Sequence, residues 1–118
     1  MGASWTTGKR AIGYLKSLAV LPNVEVRVVT LPQDPSGFIP FARVIHTKTM
    51  EIDDQIAWIG TSNWEGGYMD KSRNLEVVLR DPAMAARIDQ LHQQLWNSAY
   101  AQPIDVNKDY PRPHPGTP

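Results

Sequence analysis

His46, Lys48 and Asn63 carry side chains that can act together on one phosphate group. They belong to a spaced run that reads His46-x-Lys48, then Asp53, then Gly60-Thr61-x-Asn63. A neutral imidazole can attack phosphorus and form a phosphohistidine, while ammonium and amide groups stabilise the charge that develops on the phosphoryl oxygens. This chemistry requires no metal ion or cofactor, and the sequence contains no cluster with metal-ligand spacing.

Two predicted strands place these side chains at one end of a sheet. Residues 42–52 and 55–60 are strand-like, and a tight turn joins them. Because side chains alternate along a strand, His46 and Lys48 are expected on one face, about 7 Å apart. Gly60 ends the second strand, where a glycine allows the backbone to approach a ligand closely.

The segments before this run predict one helix and one strand. Apolar residues at three-residue steps favour an amphipathic helix over 8–21. Alternation of β-branched residues predicts a strand over 24–29. Three prolines and a glycine indicate a loop over 32–40.

The segments after this run predict a loop, a strand and a helix. Residues 63–73 are polar and contain two adjacent glycines, so a loop is expected, and a buried strand is expected over 75–79. Asp81 and Pro82 are typical of a helix start. The apolar face of that helix is expected to consist of Met84, Ile88, Leu91 and Leu95.

The composition is that of one ordinary globular domain. The 118 residues include 12 basic and 12 acidic side chains, so no overall positive field favours nucleic-acid binding. The absence of cysteine excludes disulfides, a thiolate nucleophile and cysteine metal ligands. No apolar stretch approaches the roughly 20 residues of a transmembrane helix.

The spaced run resembles the HKD motif of the phospholipase D superfamily, with threonine where serine is commoner. The resemblance extends over residues 8–102, and residues 103–118 are expected to form a proline-rich tail. It implies an α/β fold with a phospholipase D-like mixed sheet flanked by helices. It also implies that the chain is the C-terminal portion of an incomplete half-domain.

The resemblance implies a role for each residue of the motif. His46 is expected to be the nucleophile or its partner acid, with Lys48, Thr61 and Asn63 at the phosphate. Asp53 is expected to be structural, at the turn, and Gly60 to complete the motif. An acidic residue on the following strand orients the histidine in this family. Glu76 and Asn74 are the two candidates, and Glu76 is preferred because a carboxylate better stabilises an imidazolium.

The chain contains one HKD motif, whereas members of this family build the active site from two. His92 and His114 lack the lysine two residues on. A second HKD half, in cis or in a homodimer, is therefore expected as a partner. The resemblance implies a phosphodiesterase acting through a phosphohistidine, with phospholipid as the favoured substrate. A nuclease with the same chemistry, and an inactive fragment that needs its other half, are the alternatives.

Other residues near the motif have simpler interpretations. Glu76 can form an ion pair with Arg73 or Arg80, and His92 is expected at the surface or boundary of the last helix. Trp58 is expected in the core, while Trp64 can form a wall of the substrate pocket. The charged residues 70–73 belong to a solvated loop or to a basic rim of the site.

Overall fold

The computed structural model describes residues 2–4, 9–64 and 66–111. His114 lies outside the described residues. Nine elements follow one another in these ranges: β1 (Gly2–Ser4), α1 (Lys9–Ala19), β2 (Arg27–Val29), β3 (Thr49–Ile52), β4 (Ile56–Gly60), α2 (Gly66–Asp70), β5 (Glu76–Arg80), α3 (Pro82–Trp96) and β6 (Ala101–Pro103). The fold is mixed α/β, as the sequence predicts. The chain divides into two compact units, one with residues 1–6 and 45–94 and the other with residues 7–44 and 95–118.

The first unit contains a four-stranded antiparallel sheet in the order β1-β3-β4-β5. The turn between β3 and β4 has Asp53 and Asp54 at its centre, as predicted. Their φ angles of 53° and 57° are both left-handed. Two left-handed central residues make a tight turn whose twist matches that of the strands, and aspartate tolerates this conformation better than most residues. The Gln55 N–H donates to the Ile52 carbonyl at 3.0 Å and closes the turn.

Strand β3 begins at Thr49, so the prediction of a strand over 42–52 is wrong for its first seven residues. The partner strand β4 ends at Gly60, whose N–H donates to the Lys48 carbonyl at 3.0 Å. Among the described residues, no strand pairs with residues 42–48 beyond that bond. Phe41 and Arg43 also have φ angles of 59° and 53°, which no regular strand accommodates.

Two predictions for the segment after β4 are wrong. The predicted loop over 63–73 contains the short helix α2, and the Lys71 N–H donates to the Gly67 carbonyl at 3.1 Å within it. The strand predicted as buried over 75–79 is β5, and four of its five residues are exposed. β5 lies at the edge of the sheet, so fewer side chains cover it than cover β4.

Helix α3 begins where the sequence predicts. The Asp81 carboxylate accepts hydrogen bonds from the Ala83 and Met84 N–H groups at 2.8 and 3.3 Å, so Asp81 is the N-cap. The buried residues of α3 are Ala85 and Ile88. Of the predicted apolar face, Ile88 is buried and Met84 and Leu95 are half-buried, whereas Leu91 is exposed and is therefore wrongly predicted.

His92 lies at the boundary of α3, one of the two positions that the sequence predicts. It is half-buried, and its Nε2 lies 2.9 Å from the Thr49 Oγ1 on β3. Thr49, Glu51 and Ala57 share one face of the sheet by strand register, and α3 covers that face at Thr49. Lys48 precedes Thr49 and therefore projects toward the opposite face.

The second unit contains α1 and the antiparallel pair β2-β6. α1 confirms the predicted helix with shorter ends, and β2 is the three-residue core of the strand predicted over 24–29. The segment after β6 is held in place, because the Ile104 N–H donates to the Val26 carbonyl at 3.0 Å. No helix among the described residues is long and apolar enough to cross a membrane.

Candidate functional site

Lys48 is a buried cation with no counter-charge among the described residues. Its side chain is 2% exposed, and Nζ donates to the His46 carbonyl oxygen at 3.0 Å. Within the described part of the chain, no carboxylate lies within ion-pair distance of this ammonium. Burial lowers the pKa of Lys48 from its ordinary value of 10.5. A buried charge of this kind is costly unless an anion joins it, so the arrangement suits an anion site.

His46 lies just outside the sheet with an exposed ring. The Lys48 hydrogen bond brings the ammonium next to the backbone of His46. The imidazole forms no hydrogen bond with any other described residue, so neither Glu76 nor Asn74 orients it here. The structure therefore places the His46 backbone beside the buried ammonium and leaves the His46 ring exposed.

Lys48, Gly60 and Glu76 form one row across the ends of three neighbouring chain segments. The Gly60 N–H bonds the Lys48 carbonyl, and Gly60 is directly opposite Glu76 in the β4-β5 register. Residues opposed in this way project to the same face, and strands lie about 4.8 Å apart. Lys48 and Glu76 are therefore about 10 Å apart at their α-carbons, on either side of Gly60.

Glu76 and Asn74 differ in the hydrogen bonds that their side chains form with other described residues. Glu76 is exposed, and among the described side chains it forms no ion pair with Arg73 or Arg80. Asn74 accepts a hydrogen bond from the Thr61 hydroxyl at 3.0 Å and donates to the Tyr68 carbonyl at 2.6 Å. Both ends of its amide are therefore engaged, whereas the Glu76 carboxylate is not.

Thr61 joins the end of β4 to the start of β5. Its hydroxyl donates to Asn74 and accepts from the Leu75 N–H at 3.0 Å, while its own N–H donates to the Leu75 carbonyl at 3.2 Å. These bonds fix the loop that leads to Asn63. The Asn63 amide donates to the Tyr68 hydroxyl at 2.9 Å, and its Oδ1 is buried without a partner among the described residues.

An open cleft of about 380 Å³ lies on this side of the first unit. Trp64 is 58% exposed and meets Trp58 edge to face, with 5.4 Å between ring centroids. Trp58 is half-buried and lines the cleft, so the prediction of a core position is wrong. The cleft is lined by Trp58, Ser62, Trp64, Tyr68, Met69, Ser72, Asn74 and Glu76.

Ser62 and Tyr68 support the site, and neither was predicted from the sequence as a site residue. Ser62 is almost fully buried, and its hydroxyl accepts from the Trp64 N–H at 3.0 Å. This bond holds Trp64 in its left-handed conformation, at a φ angle of 59°. Ser62 occupies the variable position of the motif, and a serine two residues before a turn is a recognisable signal. No sequence signal connects Tyr68 to Asn63.

Asp53 is remote from the other residues of the motif. Asp53 lies in the β3-β4 turn, at the far end of these strands from Gly60. In the described ranges, no group of three or more histidine, aspartate or glutamate side chains is placed to hold a metal ion.

The fold and the motif agree with the family to which this chain is similar. The family described as "Cardiolipin synthase, PLD-like domain" matches residues 4–96. The chain belongs to the phospholipase D superfamily of phosphodiesterases. The match begins near β1 and ends at the last residue of α3, so it includes every residue of the candidate site.

The proteins that are similar to this chain have different named activities. A probable phospholipase D, F09G2.8 of Caenorhabditis elegans, is 35% identical over 81% of this chain and 19% of that protein. The 5'-3' exonuclease PLD3 of Xenopus laevis is 35% identical over 75% of this chain and 20% of that protein. The virion nicking-joining enzyme of vaccinia virus is 35% identical over 78% of this chain and 22% of that protein. The chain spans about a fifth of the length of these relatives.

Proposed function

We propose that this chain provides one half of a phosphodiesterase active site, with His46 as its catalytic histidine. The observation that carries the proposal is the buried Lys48 ammonium, which has no carboxylate beside it among the described residues. A phosphodiester anion would supply the missing counter-charge at the point where the His46 ring is exposed. Membership of the phospholipase D superfamily supports the same chemistry.

The proposed reaction has two steps. The unprotonated imidazole nitrogen of His46 attacks phosphorus, and the P–N bond forms as the bond to the leaving oxygen breaks. The leaving oxygen takes a proton from a general acid. Water or an alcohol then attacks phosphorus and gives its proton to the group that acted as the general acid, while the P–N bond breaks and releases neutral His46. Lys48 and Asn63 stabilise the charge on the phosphoryl oxygens in both steps.

Glu76 is the proposed orienting residue for His46. A carboxylate that accepts from the second ring nitrogen stabilises the imidazolium that attack produces. The engaged amide of Asn74 supports this preference, because reorienting it would break its hydrogen bonds to Thr61 and Tyr68. Thr61 is proposed to support the phosphate site indirectly, by holding the loop that leads to Asn63, because its hydroxyl and its N–H are both bonded to Asn74 and Leu75.

A second HKD half is proposed to supply the general acid, in cis or from a second copy of the chain. The described site contains a single exposed histidine, and proton donation to a poor leaving group contributes about 10²–10⁴-fold to the rate. The isolated chain is therefore expected to be at best weakly active on unactivated diesters. The alternative, an inactive fragment, predicts a monomer whose residual activity is unchanged by His46→Ala. Measurement of solution mass together with that variant separates the two.

Two substrate classes have an observation in their favour. Single-stranded nucleic acid is favoured by the exposed Trp64 ring, on which a base can stack, and by exonuclease and nicking-joining relatives. Ser72 lines the cleft, and its neighbours in the sequence, Lys71 and Arg73, are exposed cations. Phospholipid is favoured by the zero net charge and by the phospholipase D relative. We place nucleic acid first, because Trp64 follows Asn63 directly in the chain and lines the cleft that also contains Glu76.

Trp64→Ala separates these substrate classes. We expect the affinity for a fluorescent single-stranded oligonucleotide to fall about tenfold, since stacking contributes about 1–3 kcal/mol per base. Phe41→Ala is the matched control, because Phe41 is an exposed aromatic residue of the second unit. Cleavage of phosphatidylcholine vesicles, with no oligonucleotide binding, would overturn the nucleic-acid preference and support phospholipid.

A further inference from the structure

Tyr68 is connected to two motif residues by hydrogen bonds: its side chain bonds Asn63 directly, and its backbone is linked to Thr61 through Asn74. Its hydroxyl accepts from the Asn63 Nδ2 at 2.9 Å. Its carbonyl accepts from the Asn74 Nδ2 at 2.6 Å, and Asn74 Oδ1 accepts from the Thr61 hydroxyl at 3.0 Å. One residue of the short helix α2 therefore connects both loop residues that are proposed to act at the phosphate.

The Asn63 amide depends on this phenol for its orientation. Among the described residues, the Tyr68 hydroxyl is the hydrogen-bond partner of Nδ2, and the buried Oδ1 has none. The Nδ2 group carries two protons, so one can bond Tyr68 while the other remains available to a phosphoryl oxygen. Without the phenol oxygen, no described group would hold the plane of this amide.

We propose that Tyr68 is a positioning residue of the phosphate site. Its phenol fixes the Asn63 amide so that the second Nδ2 proton faces the ligand, and its carbonyl steadies Thr61 through Asn74. Tyr68 acts through Asn63 and does not itself contact the phosphate. This inference rests on the proposed function, because it takes Asn63 as a phosphate ligand.

The test uses inorganic phosphate, titrated into the ¹⁵N-labelled chain and followed at the backbone amide of Thr61 in every variant and also at the Asn63 side-chain amide where Asn63 is present. Tyr68→Phe removes one oxygen atom, and we expect phosphate affinity to fall about tenfold, because the released Asn63 amide loses its hydrogen bond to the anion. Tyr14→Phe is the control, because Tyr14 is exposed on α1 in the second unit. Its affinity for phosphate is expected to equal that of the unmodified chain.

A double-mutant cycle separates positioning from general support of the fold. If Tyr68 acts through Asn63, Tyr68→Phe should weaken phosphate binding no further in an Asn63→Ala background. Additive losses, or a Tyr68→Phe chain that binds phosphate normally, would overturn the inference and leave the proposed function intact. A chain that binds no phosphate without any substitution would overturn both.

The unmodified chain gives a second readout that does not depend on how the variants fold. The two Asn63 side-chain protons are distinguishable, as in any primary amide, and the one that bonds the Tyr68 hydroxyl should be shifted downfield from its ordinary position. Phosphate should shift mainly the other proton. Equal shifts of both protons would show that the phenol does not fix the amide, and would overturn the inference.

Discussion

The carboxylate of Glu76 lies over the α-carbon of Gly60, its directly opposed residue across β4 and β5. A Cβ atom at Gly60 would overlap the Glu76 Oε2 and the Trp58 ring. From the sequence, Gly60 is expected to let a ligand approach the backbone closely. In the structure, the space that this glycine leaves open is occupied by the residue proposed to orient His46.

Gly60→Ala is expected to destabilise the protein by about 1–3 kcal/mol, because Glu76 and Trp58 must both move. Urea-induced unfolding measures the loss. Gly13→Ala is the control, since a Cβ at Gly13 meets nothing within 4 Å and Gly13 lies inside α1. That control should gain up to about 1 kcal/mol from helix propensity. Equal stabilities of the Gly60→Ala and unmodified chains would show that the crowding at Gly60 is unimportant.

Thr61 is expected to contribute through its hydroxyl, which both donates to Asn74 and accepts from Leu75. Thr61→Val keeps the shape but leaves the Leu75 N–H without this acceptor, so a loss of about 1–2 kcal/mol is expected. Thr61→Ser keeps the hydroxyl and should retain most of the stability. Thermal unfolding compares the two variants, and equal losses would mean that the methyl group, not the hydroxyl, is what the site uses.

Lys48→Met is expected to stabilise the free protein by about 1 kcal/mol while abolishing phosphate binding, because it replaces an uncompensated buried charge with an apolar side chain. The sign of the pH dependence follows from the lowered pKa of Lys48. Between that pKa and 10.5, the unfolded chain binds more protons than the folded one, so stability rises with pH.

The stability advantage of Lys48→Met should therefore narrow as the pH rises toward 10.5. Denaturant unfolding at neutral and alkaline pH measures this. Lys71→Met is the matched control, because Lys71 is exposed in the loop after α2 and should change stability by less than about 0.5 kcal/mol. A Lys48→Met chain that is less stable than the unmodified one at neutral pH would contradict the anion-site interpretation.

His92 should make the fold sensitive to mild acid. Burial lowers its pKa from 6.5, and the neighbouring Asp89 and Glu51 carboxylates only partly oppose this shift. As the pH falls through 6.5, the unfolded chain takes up the proton first, so stability falls until the folded-state pKa is passed.

His92→Gln should reduce this loss, as measured by melting temperatures at several pH values below neutral. His46→Gln is the control for stability, because the His46 ring is exposed. An unchanged acid dependence in His92→Gln would show that other groups cause it.

Local signals in the sequence predict much of the fold. The Asp81-Pro82 start of α3 and the two-aspartate turn after β3 are correct, because capping and left-handed turns depend on a few adjacent residues. The turn between β3 and β4 fixes the register that places Lys48 opposite Gly60, and the register between β4 and β5 adds Glu76 to the same row.

The remaining errors arise where tertiary contacts decide the outcome. β3 begins only at Thr49 because its partner strand β4 ends at Gly60. Nothing in the sequence of residues 42–48 indicates that they lack this partner. Leu91 is exposed, whereas the adjacent His92 is half-buried and lies within hydrogen-bond distance of Thr49. The helix α2 forms despite two glycines, and its carbonyl at Tyr68 is bonded by Asn74 from outside the helix.

The central claim is that His46 performs the phosphoryl chemistry, and an activated diester tests it most directly. Bis(p-nitrophenyl) phosphate has a leaving group that departs without protonation, so the missing general acid is not needed. Release of p-nitrophenolate by the purified chain is measured for the unmodified protein, His46→Asn and His92→Gln. We predict release above background that falls at least about a hundredfold in His46→Asn and is retained in His92→Gln. Equal rates in His46→Asn and the unmodified chain, or no release by either, would contradict the account.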